Sequence, residues 1–167
     1  MAYRNKTYVC FDGDNDIRYY NLMKAWKQND NTNFNFYDAH DINTALDSST
    51  EETIKRRLRE RLINSKVFVI LLGEHTKNLT KFVRWEMEQA LKLDLPIIIV
   101  NLNKSREVDN KLMPPILREE LTINIPFNEK IMQYALENWP YSHDYYKKEG
   151  KTGGYTYKDF VYTNLGL

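Results

Sequence analysis

The residues best placed to do chemistry lie in the segment TKFVRWEMEQALKL, from Thr80 to Leu93. At the helical step of about 100° per residue, Val83, Met87, Ala90 and Leu93 make one apolar stripe, widened by Leu91, and Glu86 falls inside it. Glu88 falls on the opposite, polar face with Arg84 and Lys92. A carboxylate on an inward face near a helix start must be paired, hydrogen-bonded or reserved for a ligand, because burying it bare is costly. Two readings of Glu86 follow. It is either a structural partner, in a salt bridge or a hydrogen bond to the preceding loop, or a carboxylate that acts on a bound molecule.

Other reactive groups are fewer. Asp12, Asp14 and Asp16 follow the first apolar run. Such spacing can hold a divalent metal, but it equally caps a following helix, and capping is preferred here. His40, His75 and His143 stand alone, without a metal-like partner at helical or finger spacing, so no metal site is expected. His40 and His75 fall on loops at the ligand end of the fold, where they either line a pocket or are solvated. The single cysteine, Cys10, sits in an apolar run, cannot form an internal disulfide and reads as a buried structural thiol. There is no glycine-rich phosphate loop and no serine elbow.

These residues need elements to position them. Thr7–Asp12 reads as a strand, and Asp14 as the cap of a helix over Asn15–Gln28 with Tyr19, Leu22, Met23 and Trp26 on one face. Phe34–Asp38 reads as a second strand, followed by a polar loop from His40 to Ser48. Ser49 and Glu52 form a capping box for a helix that turns Ile54, Leu58 and Leu62 inward. Lys66–Leu72 and Pro96–Asn101 are continuously apolar, as in the middle of a parallel sheet covered on both faces. Lys111–Glu120 is expected to hold a short helix, Thr122–Pro126 an edge strand, Asn128–Asn138 a helix, and Trp139–Tyr146 a packed loop. The tyrosine- and glycine-rich end adds a short helix near Tyr157–Asn164 or folds back over the sheet.

This alternation predicts an α/β, flavodoxin-like three-layer sandwich around a central, mostly parallel five-stranded sheet. One domain should span 1–167, with a core over about 5–138 and an extension over about 139–167. Ligands in such sheets sit beyond the carboxyl ends of the strands. Here those ends are Phe11–Asp16, Asp38–Asn43, Gly73–Thr76 and Asn101–Asn103. A phosphate-accepting receiver would need an aspartate closing the third strand and a lysine after the fifth. The sequence has Leu71-Leu72-Gly73-Glu74 and Pro126-Phe127-Asn128 instead.

Bulk properties exclude several classes. The 24 basic and 23 acidic side chains leave a net charge of +1, which gives no field for nucleic acid or an anionic membrane. The basic run Lys55, Arg56, Arg57, Arg59 and Arg61 reads as the solvated face of a helix. Val67–Gly73 and Leu95–Val100 are too short to span a bilayer, and Met1–Lys6 lacks a signal-peptide pattern. A soluble, cytoplasmic protein is expected.

In order and spacing, YVCFDGDNDIRYYNLMKAW (Tyr8–Trp26), FNFYDAHDI (Phe34–Ile42) and VFVILLGEHTKNLTKFVRWEMEQALKLDLPIIIVNL (Val67–Leu102) resemble the TIR-like domains of bacterial antiphage defence, of the Thoeris sensor type. TIR enzymes that act on NAD carry S-x-W-C-x-x-E, and Thr80, Phe82, Val83 and Glu86 occupy those positions. Phenylalanine replaces tryptophan and valine replaces cysteine, both with packing kept. The resemblance implies a TIR-like fold and a catalytic Glu86 that cleaves the nicotinamide–ribose bond of NAD, which is substrate, with no other cofactor. It implies that Phe11, Asp12 and the loop from Asp38 to Thr44 frame the nicotinamide and its ribose. Asp38, His40, His75, Phe82 and Trp85 complete the expected binding set. It also implies a cyclic ADP-ribose-type signal, a downstream effector reached by that signal, a phage-derived trigger and self-assembly. Two rivals stand beside it. A nucleoside deoxyribosyltransferase would exchange bases on a deoxynucleoside, and a non-catalytic binding or assembly module would use Glu86 as an internal ion-pair partner.

Overall fold

The computed structural model describes residues 6–29, 36–37 and 50–167. Among them the strands are β1 (Thr7–Cys10), β2 (Phe36–Tyr37), β3 (Val67–Leu72), β4 (Ile97–Asn101), β5 (Thr122–Pro126) and β6 (Gly154–Thr156). They form one parallel sheet in the order β2-β1-β3-β4-β5-β6. The first five are the strands expected, in the flavodoxin-like order whose direction of winding reverses between β1 and β3. The helices are α1 (Ile17–Gln28), α2 (Glu51–Ile63), α3 (Val83–Lys92), α4 (Glu129–Lys148) and α5 (Asp159–Asn164).

Strand alternation sends side chains to two cores. Val9, Val69, Leu71, Val100 and Ile125 pack with Tyr20 and Met23 of α1, with Ile131, Ala135 and Trp139 of α4, and with Val161 and Tyr162 of α5. Tyr8, Cys10, Phe68, Ile70 and Ile99 pack with Ile54, Leu58 and Leu62 of α2 and with Val83, Met87 and Ala90 of α3. The three-layer sandwich is therefore as predicted, and Glu86 lies on the α2/α3 side.

Several boundaries differ from expectation. Asp14 is exposed and does not cap α1; Asp16 holds the N-cap position without a side-chain cap. Tyr20 and Met23 are buried and Tyr19 and Trp26 pack at the edge of the same face, while Leu22 is exposed. Ser49 lies outside the described residues, and α2 is capped by Thr50, whose side chain accepts from the Thr53 N–H at 3.2 Å. Leu93 closes α3 as its C-cap and is exposed. Lys111–Glu120 contains a 3-10 turn over Pro115–Leu117 in place of an α-helix.

The largest correction is at the C-terminal end. Trp139–Tyr146 is no loop: α4 runs on through Pro140 to Lys148. Asn128 caps its start, accepting from the N–H groups of Lys130 at 2.9 Å and Ile131 at 3.3 Å. Trp139 and His143, both buried, carry the inward face past the proline. β5 is an interior strand, because β6 pairs with it over Thr122–Asn124. Pro126 lies beyond the reach of β6, so its missing N–H leaves no ladder bond unmade there.

Candidate active site

α3 begins three residues later than its sequence pattern suggests, which puts Glu86 in its first turn. Thr76 fixes the connection from β3: its hydroxyl accepts from the Gly73 N–H at 2.9 Å and donates to the Leu71 carbonyl at 3.4 Å. The chain then enters α3 through Phe82, whose carbonyl accepts from the Glu86 N–H at 2.8 Å. Glu86 is thereby aimed at the carboxyl end of β1.

Glu86 is 5 % exposed. It lines a cavity of about 530 Å³ together with Phe11, Asp12, Gly13, Thr80 and Phe82. Beneath it, Tyr8 and Cys10 present a hydroxyl and a thiol from one face of β1. Burial raises the Glu86 carboxyl from 4.5 to about 7, and these two side chains act against that rise. Their geometry is imperfect, since the Tyr8 hydroxyl completes no hydrogen bond of standard shape. The same burial, and then the neighbouring Glu86, push the Tyr8 and Cys10 groups up, so Cys10 is a protonated thiol and no nucleophile. Among the described residues no lysine or arginine pairs with Glu86; the ion pairs on its helix belong to Arg84 and Glu88, on the outer face at 3.2 Å. A buried carboxylate facing an open cavity, with only weak donors behind it, can stabilise positive charge on a ligand in front of it.

The other expected site residues divide. Phe11 lines the cavity and stacks on Tyr20, ring centroids 4.5 Å apart. Asp12 lines it too, but its carboxylate also folds the β1–α1 loop: it accepts from the N–H groups of Asp14 at 3.0 Å and Asn15 at 3.3 Å, and from Asn15 Nδ2 at 2.7 Å. Phe82 lies at the cavity wall as the N-cap of α3. Trp85 turns away toward α2, with the Lys55 ammonium 5.6 Å and the Arg59 guanidinium 5.4 Å from its ring centroid. His75 lines a separate cavity of about 330 Å³, with Asp16, Arg18 and Asn103. Asp38 and His40, with the loop from Asp38 to Thr44, lie outside the described residues.

Two residues at the site were not singled out in the sequence. Tyr8 shares the face of Cys10 by strand alternation, a signal that was present but had no partner until α3 was placed over it. Lys81 stands on the cavity wall, and neither periodicity nor motif marks it. Among the described residues, no three or more of His, Cys, Asp and Glu are grouped to hold a metal ion. No helix among them is long and apolar enough to cross a membrane. Residues 8–107 match the family model described as Thoeris protein ThsB, TIR-like domain. That stretch runs from β1 through β4 and includes every described residue of the Glu86 cavity wall.

Proposed function

The chain belongs to the TIR-like domain family of Thoeris protein ThsB, and from that premise we propose that it breaks the bond between nicotinamide and C1′ of ribose in NAD, in the cytoplasm, with Glu86 as the catalytic carboxylate. The observation that carries this reading is the Glu86 carboxylate itself, 5 % exposed, at the wall of an open cavity and unpaired with any described cation.

Cleaving this bond builds positive charge on the ribose, in an oxocarbenium-like transition state. The bonding pair leaves with the nicotinamide, which departs neutral because its ring was cationic. No strong general acid is needed, which suits a cavity whose other buried carboxylate, Asp12, is engaged by the N–H groups of the β1–α1 loop. Glu86, ionised, sits against the developing charge and is worth more there than in water. Aromatic walls at Phe11 and Phe82 suit a flat pyridinium ring.

The acceptor then decides the product. Water gives ADP-ribose; an adenine nitrogen or a ribose hydroxyl of the same molecule gives a ring. We favour the cyclic product, as a diffusible signal to an effector, with turnover dependent on a phage-derived trigger and on self-assembly. Incubation with NAD, with and without extract of infected cells, followed by mass spectrometry of the nucleotides, tests this. Loss of nicotinamide alone marks a ring and a gained water marks ADP-ribose. Glu86→Gln should reduce either by about a thousandfold. Unchanged NAD under every condition overturns the enzymatic reading.

A further inference from the structure

We propose that Lys81 receives the diphosphate of the dinucleotide at the mouth of the Glu86 cavity. The inference rests on the reading of that cavity as an NAD site and adds to it the part of the substrate that carries the negative charge.

The charges around the cavity make the argument. Among the described residues its lining presents three carboxylates, Asp12, Asp14 and Glu86. Such an interior favours the cationic nicotinamide–ribose end and repels two phosphates, so the diphosphate must lie at the rim. Lys81 is the one cation among the described residues of the lining. It stands directly beside Phe82, with its ammonium 5.2 Å from that ring's centroid. Its side chain is 64 % exposed, and its contact with Glu51 is loose at 3.7 Å. Competing cations are engaged elsewhere. Lys55 is held by Glu51 at 2.8 Å, and both Lys55 and Arg59 lie over Trp85. The sequence between Lys27 and Lys55 contains no lysine or arginine at all. An ammonium on a flexible stem meets phosphate oxygens as a point charge, and the diphosphate would displace a weak carboxylate partner that is itself half in solvent.

Titration calorimetry tests this in a Glu86→Gln background, where NAD stays intact. Adding Lys81→Ala should weaken NAD binding about tenfold and flatten its salt dependence. Nicotinamide riboside, which has the same reacting end and no phosphate, should bind as before. Lys81→Arg should restore most of the NAD affinity. An equal loss for both ligands, or no loss for NAD, overturns the assignment. The two proposals fail separately. If NAD binds in the Lys81-dependent way but the unmodified protein never releases nicotinamide, only the catalytic reading falls. If NAD does not bind with Lys81 in place, both fall.

Discussion

At the scale of the residue, Glu86 carries a cost that should be measurable. Its folded value of about 7 lies above the ordinary 4.5, so the native state holds the proton more tightly than the unfolded chain does. Below the lower value both states are protonated and there is no penalty. The penalty for ionising it in place grows through the interval and is complete above the upper value. It is on the order of 3 kcal/mol. Glu86→Gln should therefore melt higher than the unmodified protein at about pH 8 and level with it at about pH 4, read by scanning calorimetry. A lower melting point at the alkaline end would instead mark the side chain as one half of a structural pair. On the proposed function, the same titration would govern turnover. Since the ionised form is the useful one, kcat/KM for NAD should fall as pH drops through about 7. In kcat the limb should lie lower, because the cationic ring of bound NAD favours the carboxylate.

At the scale of the element, α4 shows how far local rules reach. Pro140 and the glycine- and tyrosine-rich stretch after it read as the end of a helix, by the usual logic that a proline removes a donor and crowds the preceding turn. Long-range packing overrides that logic: on either side of Pro140, Trp139 is buried in the core and His143 is buried beside Trp139 and Asp94, and the helix continues. Pro140→Ala should then stabilise the protein by about 1–2 kcal/mol, the helical gain less the entropy the proline removes from the unfolded chain. Urea unfolding monitored by circular dichroism would show it, and a loss of stability would mean that the ring itself packs. The strands were more legible. β3 and β4 lie within a residue of their apolar runs, because two-sided burial keeps all but the closing Asn101 apolar, and β5 spans Thr122–Pro126 as expected although Thr122 and Asn124 are buried polar residues within it. α3 was legible in its face but not in its start: the pattern runs from Thr80, yet the helix begins at Val83 behind Phe82. That is why Glu86 could be picked from the stripe while Tyr8, its neighbour across the core, could not.

At the scale of the whole molecule, the last residues finish the sheet. β6 covers the free side of β5, Tyr155 stacks on Tyr146 with centroids 4.9 Å apart, and Val161 and Tyr162 enter the core beside α4. Ending the chain at Gly150 should lower the melting temperature by roughly 10 °C or more and promote association through the uncovered edge, seen by calorimetry and size-exclusion chromatography. A truncated chain that melts unchanged and stays monodisperse would make this segment an appendage. The order in which partners meet also explains what sequence could not reveal: β6 joins β5 across the whole of α4, and no local pattern announces such a closure. One feature of the molecule offers a means of watching it work. The chain's single thiol, Cys10, is 1 % exposed and lies directly behind the Glu86 carboxylate. A thiol-reactive dye can reach it only when the α2/α3 layer lifts from β1, so the labelling rate is a clock on the breathing of the wall behind Glu86, slowed by any ligand that clamps it shut.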